Sequence, residues 1–219
     1  YFHKLRAGLD SNGKIIAWQH KIIGQSIMSD SVYGAFIKNG IDDSSVEGAT
    51  SLPYSIPNFE VKLNTVESQV PVLWWRSVGS THTAYSTEVF MDELAAAAGQ
   101  DPLEFRRAHL GDDPRYKTVL DLAIEKSGWG SVVPDGRSRG VAIHKSFGSY
   151  VAQVAELVLD DKGGYKVDKV ICAVDCGVAI NPDVIRAQLE GGIGYGLSPA
   201  LMSEITIDNG AVVESNFDT

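Results

Sequence analysis

Apolar and polar positions divide the chain into paired strand-like runs, a helical middle and a second set of paired runs. Residues 5–9 and 14–25 read as two strands around Asp10-Ser11-Asn12-Gly13, a hairpin turn signal, with Ile15, Ala17, Ile22 and Ile23 as the apolar set. Residues 26–51 are rich in Ser, Gly and Asp and read as a long irregular loop, a length that usually carries function or disorder. Pro53 to Asn58 form a rigid extended turn, because each proline disfavours helix in its predecessor. Residues 59–66 alternate as a strand, and Val70 to Trp75 read as another short one.

A helical period follows. Ala84, Val89, Met91, Leu94, Ala95 and Ala98 recur on one face from about Thr83, and Gly99 stops that helix. Asp101-Pro102 starts a second, with an N-capping side chain and Pro in the first turn; a third covers 116–127. Runs 140–145, 151–160 and 165–174 read as strands, the last two joined by a turn at Lys162-Gly163-Gly164. Asn181-Pro182 caps a further helix that carries Gly191, Gly192, Gly194 and Gly196, each less favourable than Ala by roughly 1 kcal/mol, which suggests that another backbone or a ligand packs closely there. A closing hairpin is expected over Asp208-Asn209-Gly210. Hairpins with segregated helices read as α+β. The polar segment 134–139 is the best internal boundary, dividing a first part, 1–133, from a second, 140–219.

With 219 residues, 44% hydrophobic, the chain can bury one large core or two modest ones. A net charge of -9 and a pI near 5.0 argue against nucleic acid as a main partner. No apolar run reaches membrane-spanning length and no signal segment is visible. The chain opens at Tyr1 without a methionine and reads as a piece of a longer protein, so its compartment stays open. Cys172 and Cys176 are too few for a zinc or iron–sulfur site and read as two small buried residues. The five histidines are scattered and read as surface or capping residues, with His82 a partial exception because it follows the Arg76 turn. There is no hydrolase elbow, phosphate-binding Walker loop or metal-binding His pair, and no metal ligand is assigned.

Chemistry concentrates at Trp74-Trp75-Arg76-Ser77-Val78-Gly79-Ser80, a strand-to-helix junction with one guanidinium and several backbone N–H groups. Such a junction suits an anionic group. The Gly-rich turn 177–183 is a second place of that kind, and residue spacing does not choose between the two.

The segment Pro71 to Ala98 resembles the molybdenum-cofactor-binding subunit of the xanthine dehydrogenase/aldehyde oxidase family, nearest in style to its isoquinoline 1-oxidoreductase branch. Its arginine and turn are similar to the family's Arg-Gly-x-Gly-Gly element, with Ser77 and Ser80 in place of two glycines. Val174 to Pro182 followed by Gln188-Leu189-Glu190-Gly191-Gly192 resembles a second family element, and Tyr54 to Asn58 a third. The resemblance implies that Arg76, Trp75, Gly79, Gln188 and Gly191 face the cofactor, with the Arg76 backbone beside the metal and the Gln188 amide on the pterin. It implies a substrate pocket at Glu47, Val78 and Trp74. Xanthine-type members place a substrate-orienting arginine near 45–47, where this chain has Ser45, Val46 and Glu47, so an N-heteroaromatic compound or an aldehyde is implied rather than a purine. The cofactor implied is molybdopterin, in its cytosine dinucleotide form. Electrons would leave through iron–sulfur clusters on a small [2Fe–2S] partner subunit, and water would supply the oxygen. No catalytic residue is assigned within the chain, because the family's general-base glutamate is expected downstream of Thr219. By this reading the chain is inactive alone. The alternative is a non-catalytic scaffold of the same family.

Overall fold

The computed structural model describes residues 1–216. They form two units, Tyr1–Cys176 and Gly177 onward. The mixture of two three-stranded sheets with helices is α+β, as the patterns predict.

In the first unit, β1 (Phe2–Leu9) and β2 (Ile15–Gly24) pair antiparallel, and β3 (Asn58–Thr65) joins β2 in parallel after the loop 25–57. Asp10 sets the hairpin: its Oδ1 accepts from the N–H groups of Asn12 and Lys14, and Gly13 takes φ 77°. The same device recurs at Asp160, whose Oδ1 accepts from Lys162 and Gly164 between β5 (Ser149–Leu159) and β6 (Tyr165–Asp175). β4 (Arg137–Ser146) pairs with β5 through the two-residue turn Phe147-Gly148, where φ is positive at both positions, as a hairpin turn that matches strand twist requires.

Three helices complete this unit: α1 (Ser80–Ala97), α2 (Pro102–His109) and α3 (Pro114–Ser127). Asp101 accepts from Leu103 and Glu104, and Asp113 accepts from Arg115, so each caps the helix it precedes. Gly128, at φ 64°, ends α3 in the left-handed region. α3 lies against β5 and β6, while α1 packs with α2 and touches β1 and β4. The main core joins Trp18, Met91, Leu94, Phe105, Leu120 and Ile143 with their neighbours, and a smaller cluster holds Ile22, Val46 and Ala49.

Four expectations change. Residues 70–75 form no strand: Pro71 has no N–H for a ladder and the segment is exposed. The expected boundary at 134–139 lies inside the first unit, because Arg137 to Arg139 already pair with β5. Cys176 is exposed rather than buried, while Cys172 is half-buried on β6. The inward face of α1 is partly polar: Thr83, Thr87 and Glu88 are buried and Val89 points outward. Those polar groups are all bonded, which is what permits their burial.

In the second unit, Asn181 caps α4 (Pro182–Leu201) by accepting from Asp183 and Val184, and a short pair, β7 (Ile207–Asp208) with β8 (Ala211–Val212), follows. None of the residues of α4 is buried. A Cβ added at Gly191, Gly192, Gly194 or Gly196 would meet nothing within 4 Å, so the close partner expected from those glycines is not among the described residues.

Candidate functional site

The Arg76 turn is built by the loop that faces it. Asp42, 1% exposed, accepts from Ser26 Oγ at 2.6 Å and from the Ser44 N–H at 2.8 Å, which fixes the loop around 42–48. These bonds hold the Asp42 carboxyl below its ordinary range in spite of burial, which acts the other way. The loop is stapled to the start of α1. Thr83 Oγ1 donates to the Glu47 carbonyl at 2.7 Å, and the Ser80 N–H donates to Glu47 Oε1 at 3.3 Å. The Glu47 carboxylate thus sits at the first turn of α1, where the helix dipole favours negative charge.

Gly79 lies where no side chain fits: a Cβ would overlap the Ser44 carbonyl oxygen and come within 2.8 Å of Glu47 Cγ. Just before it, Ser77 (φ 76°) and Val78 (φ 50°) are both left-handed. For a β-branched residue that is a true outlier, and such strain collects at functional sites. Ser77 stands where the resembled motif has glycine. The Thr81 hydroxyl donates to the Arg76 carbonyl at 2.8 Å and tightens the turn.

Beside the turn is a cavity of about 580 Å³ lined by Trp75, Val78, Gly79, Thr81 and His82, with Ile23, Ile27, Val66 and Val72 among its apolar walls. The volume is in the range of small-molecule sites. Trp75, Val78 and Gly79 therefore come together. Trp74 does not join them: it packs edge-on against Tyr33, with ring centroids 5.5 Å apart, and lines a different hollow with Met28. Glu47 lines a third hollow with Ser80 and Lys145. Gln188 and Gly191 belong to the second unit, on the exposed helix α4. Tyr54, an aromatic ring suited by type to such a pocket, is buried, and its hydroxyl donates to Glu88 at 2.7 Å.

Sequence reasoning missed the histidines. His3 Nδ1 lies 2.8 Å from His20 Nε2, and His82 Nδ1 lies 3.1 Å from His3 Nε2, so β1, β2 and α1 share a chain of three imidazoles. The Tyr1 ring stacks on His82 at 3.8 Å. Burial lowers His3 and His20 to about 4 and His82 to about 3, with the neighbouring imidazoles adding to the shift at His20 and His82. Contacts 17 and 79 residues apart leave no local signal in a sequence. His109 is also buried: it accepts from the Ile15 N–H at 2.9 Å and faces the Phe105 carbonyl at 2.7 Å. Among the described residues no cluster of His, Cys, Asp and Glu has the geometry to hold a metal ion, and no helix is long and apolar enough to cross a membrane.

Comparison with known proteins finds relatives of the chain. Two family models, each described as a molybdopterin cofactor-binding domain, match residues 75–219 and 1–110. The chain is 30% identical to the beta subunit of the isoquinoline 1-oxidoreductase of Brevundimonas diminuta, over 96% of this chain and 28% of that protein. It is 28% identical to a nicotinate dehydrogenase subunit of Pseudomonas putida, over 75% of this chain and 15% of that one. A solved aldehyde oxidoreductase from Desulfovibrio gigas superposes with a TM-score of 0.46 at 21% identity, covering 74% of this chain and 20% of the other. The chain thus spans less than a third of the length of these relatives. The two matched models together cover it from end to end, and the chain belongs to the molybdopterin cofactor-binding domains of the xanthine dehydrogenase/aldehyde oxidase family.

Proposed function

We propose that this chain is part of the catalytic subunit of a molybdenum hydroxylase that oxidises an N-heteroaromatic compound or an aldehyde, with water as the oxygen source. The observation that carries the reading is the strained Ser77-Val78 turn, held by Gly79 at the wall of a largely apolar cavity. A turn without room for a Cβ presents backbone to a ligand at close range. The apolar walls suit a flat ring.

The residues of this chain fit a molybdopterin group in two places. In the first unit, the Arg76 backbone and Gly79 form a close-approach surface, with Trp75 and Val78 as walls. In the second, the Gln188 amide offers both a donor and an acceptor for a pterin, and Gly191 leaves room on the exposed face of α4. When bound, the cofactor supplies the two-electron chemistry, and the protein supplies orientation and hydrogen bonds. Trp75 and Val78 exclude water from the ring and orient it. Glu47 is committed to the first turn of α1, so it acts on the pocket only through the shape of the turn, and Trp74 lies outside the cavity. The cytosine dinucleotide form of the cofactor and a small [2Fe–2S] partner subunit complete the reading, both supported by the likeness to the isoquinoline 1-oxidoreductase branch.

The test is metal and pterin analysis of the full-length protein co-expressed with its small subunit. Molybdenum and a pterin dinucleotide near one per chain are expected, together with label from H₂¹⁸O in the product of a heteroaromatic substrate. A correctly matured preparation without molybdenum refutes the proposal.

A further inference from the structure

We propose that Tyr1 and Gly24 set the width of the cavity beside the Trp75–Gly79 turn, and so decide how large a flat heteroaromatic ring system the site accepts. This rests on the reading of that cavity as the substrate site.

Gly24 closes β2, where it pairs with Thr65 of β3, and its carbonyl accepts from the Val66 N–H at 3.0 Å. Its φ lies outside the left-handed region, so the backbone there would accept any residue. A glycine in a strand weakens it and often marks a close approach. What approaches here is an aromatic ring. A Cβ at position 24 would overlap Cδ1 and Cε1 of Tyr1 and lie 2.8 Å from its Cγ. The ring occupies the space that a side chain at 24 would fill.

That ring is held in place. Its hydroxyl donates to the Gln25 carbonyl at 2.7 Å and lies 3.1 Å from Oγ of the buried Ser45. Its face stacks on His82, with centroids 3.8 Å apart and planes 12° from parallel. Gln25 follows β2, Ser45 belongs to the loop that supports the turn, and His82 lies in the first turn of α1. Three segments therefore fix one ring.

Tyr1 and Gly24 line the cavity together with Trp75 and Val78. Trp75 comes from the segment 70–75, which belongs to no strand. The firm side of the cavity is the Tyr1 side, and a firm wall rejects a ligand by size where an adaptable one repacks around it. Among the described residues no aspartate, glutamate, lysine or arginine lines this cavity. Shape, rather than charge, is what its walls have to select with.

The test uses the full-length protein with its partner subunit. Equilibrium dialysis measures binding of two probes, quinoline with its two fused rings and acridine with its three, after molybdenum content has been checked. Wild type should prefer quinoline. Tyr1→Ala removes the wall and should move the preference toward acridine by at least tenfold, within the roughly 10–200-fold that one methylene is worth in an apolar pocket. Gly24→Ala pushes the ring off its place into the open volume that it lines, and should move the preference the other way. In the double variant the added methyl group has no ring to push, so its preference should match that of Tyr1→Ala alone. Tyr1→Leu, which also removes the ring, replaces the alanine variant if that one does not fold. Binding of both probes with a preference unmoved by loss of the ring overturns the proposal, and so does a Gly24→Ala effect that persists in the double variant. Wild type that takes up molybdenum but binds neither probe refutes the cavity as the substrate site, and the proposal falls with it.

Discussion

Removing Glu88 tests the buried network that joins four segments of the first unit. Its carboxylate accepts from Arg106 Nε at 3.0 Å, from the Tyr54 hydroxyl at 2.7 Å and from the Ile143 N–H at 2.8 Å. Arg106 is 0% exposed, and its other partners are Asp92, the Pro102 carbonyl and the Glu88 carbonyl. Burial raises the Glu88 carboxyl above its ordinary range, and Arg106 with the other donors pulls it back. Glu88→Ala leaves a buried guanidinium with one half-exposed carboxylate, and it orphans a tyrosine hydroxyl and a backbone N–H. Breaking a buried pair from one side costs about 3–5 kcal/mol, against ~1 kcal/mol for an exposed one. Amide hydrogen exchange at Ile143 and its β4 neighbours is local and direct. About 1.4 kcal/mol is a factor of ten, so exchange there should rise by roughly 10²-fold to several times 10³-fold. Glu88→Leu with Arg106→Met removes both charges and should cost less than Glu88→Ala alone, since an apolar replacement of a buried pair is often close to neutral. A rise below tenfold in Glu88→Ala, or a double variant worse than the single one, would refute the reasoning.

The other predictions concern the turn and the histidines. Gly79→Ala should cost on the order of 1–3 kcal/mol as an overpacked site and lower cofactor content, because the clash is with the Ser44 backbone; unchanged molybdenum per chain would contradict it. Ser77→Gly should raise stability by about 1 kcal/mol: left-handed strain of about 1–3 kcal/mol is removed, and the freer unfolded chain takes back about 0.4–1 kcal/mol. Chemical denaturation of the full-length protein, compared with wild type, reads that difference. The buried histidines should make stability drop as the solution is acidified. Their folded values near about 4 and about 3 lie below the ordinary 6.5, so the unfolded chain binds more protons below pH 6.5. Their contribution is complete above 6.5 and drains away as pH falls toward 4, by an amount on the order of 1–3 kcal/mol once the partial exposure of His3 and His82 is allowed for. A His3→Gln variant should show a shallower decline in melting temperature from pH 7.5 to 4.5, and identical slopes would count against it.

What the sequence makes legible is local. The Asp10 hairpin, the caps at Asp101 and Asn181 and the stop at Gly128 each depend on residues within five positions of one another, and all are as the pattern predicts. The failures are long-range. Val70 to Trp75 has the composition of a strand, but a strand needs a partner ladder, and Pro71 withholds a donor. The polar inner face of α1 violates helical amphipathicity because its partners, Glu47, Tyr54 and Arg106, come from elsewhere in the chain. At the site, Trp75, Val78 and Gly79 line one cavity. Trp74 and Glu47, one position from the turn and on its supporting loop, line other hollows, a separation that neighbouring positions in a sequence do not reveal.

That supporting loop explains how the turn keeps its shape. Two residues in left-handed backbone cost about 1–3 kcal/mol each, so the native structure must over-determine them. The described contacts supply that. Asp42 accepts from Ser26 and from two groups of Ser44, Glu47 accepts from Ser80 and Thr83, and Arg76 accepts from Thr81. At about 0.5–1.5 kcal/mol for each bond, these together are of the same order as the strain. The left-handed backbone at Ser77 and Val78 is therefore held from outside by a loop some thirty residues earlier, with Gly79 as the point where the two press together. Resemblance to a Gly-rich motif draws the eye to the glycine positions. The physical requirement falls on the loop as well: Asp42, which does not line the cavity, fixes Ser44, whose carbonyl is what Gly79 presses against.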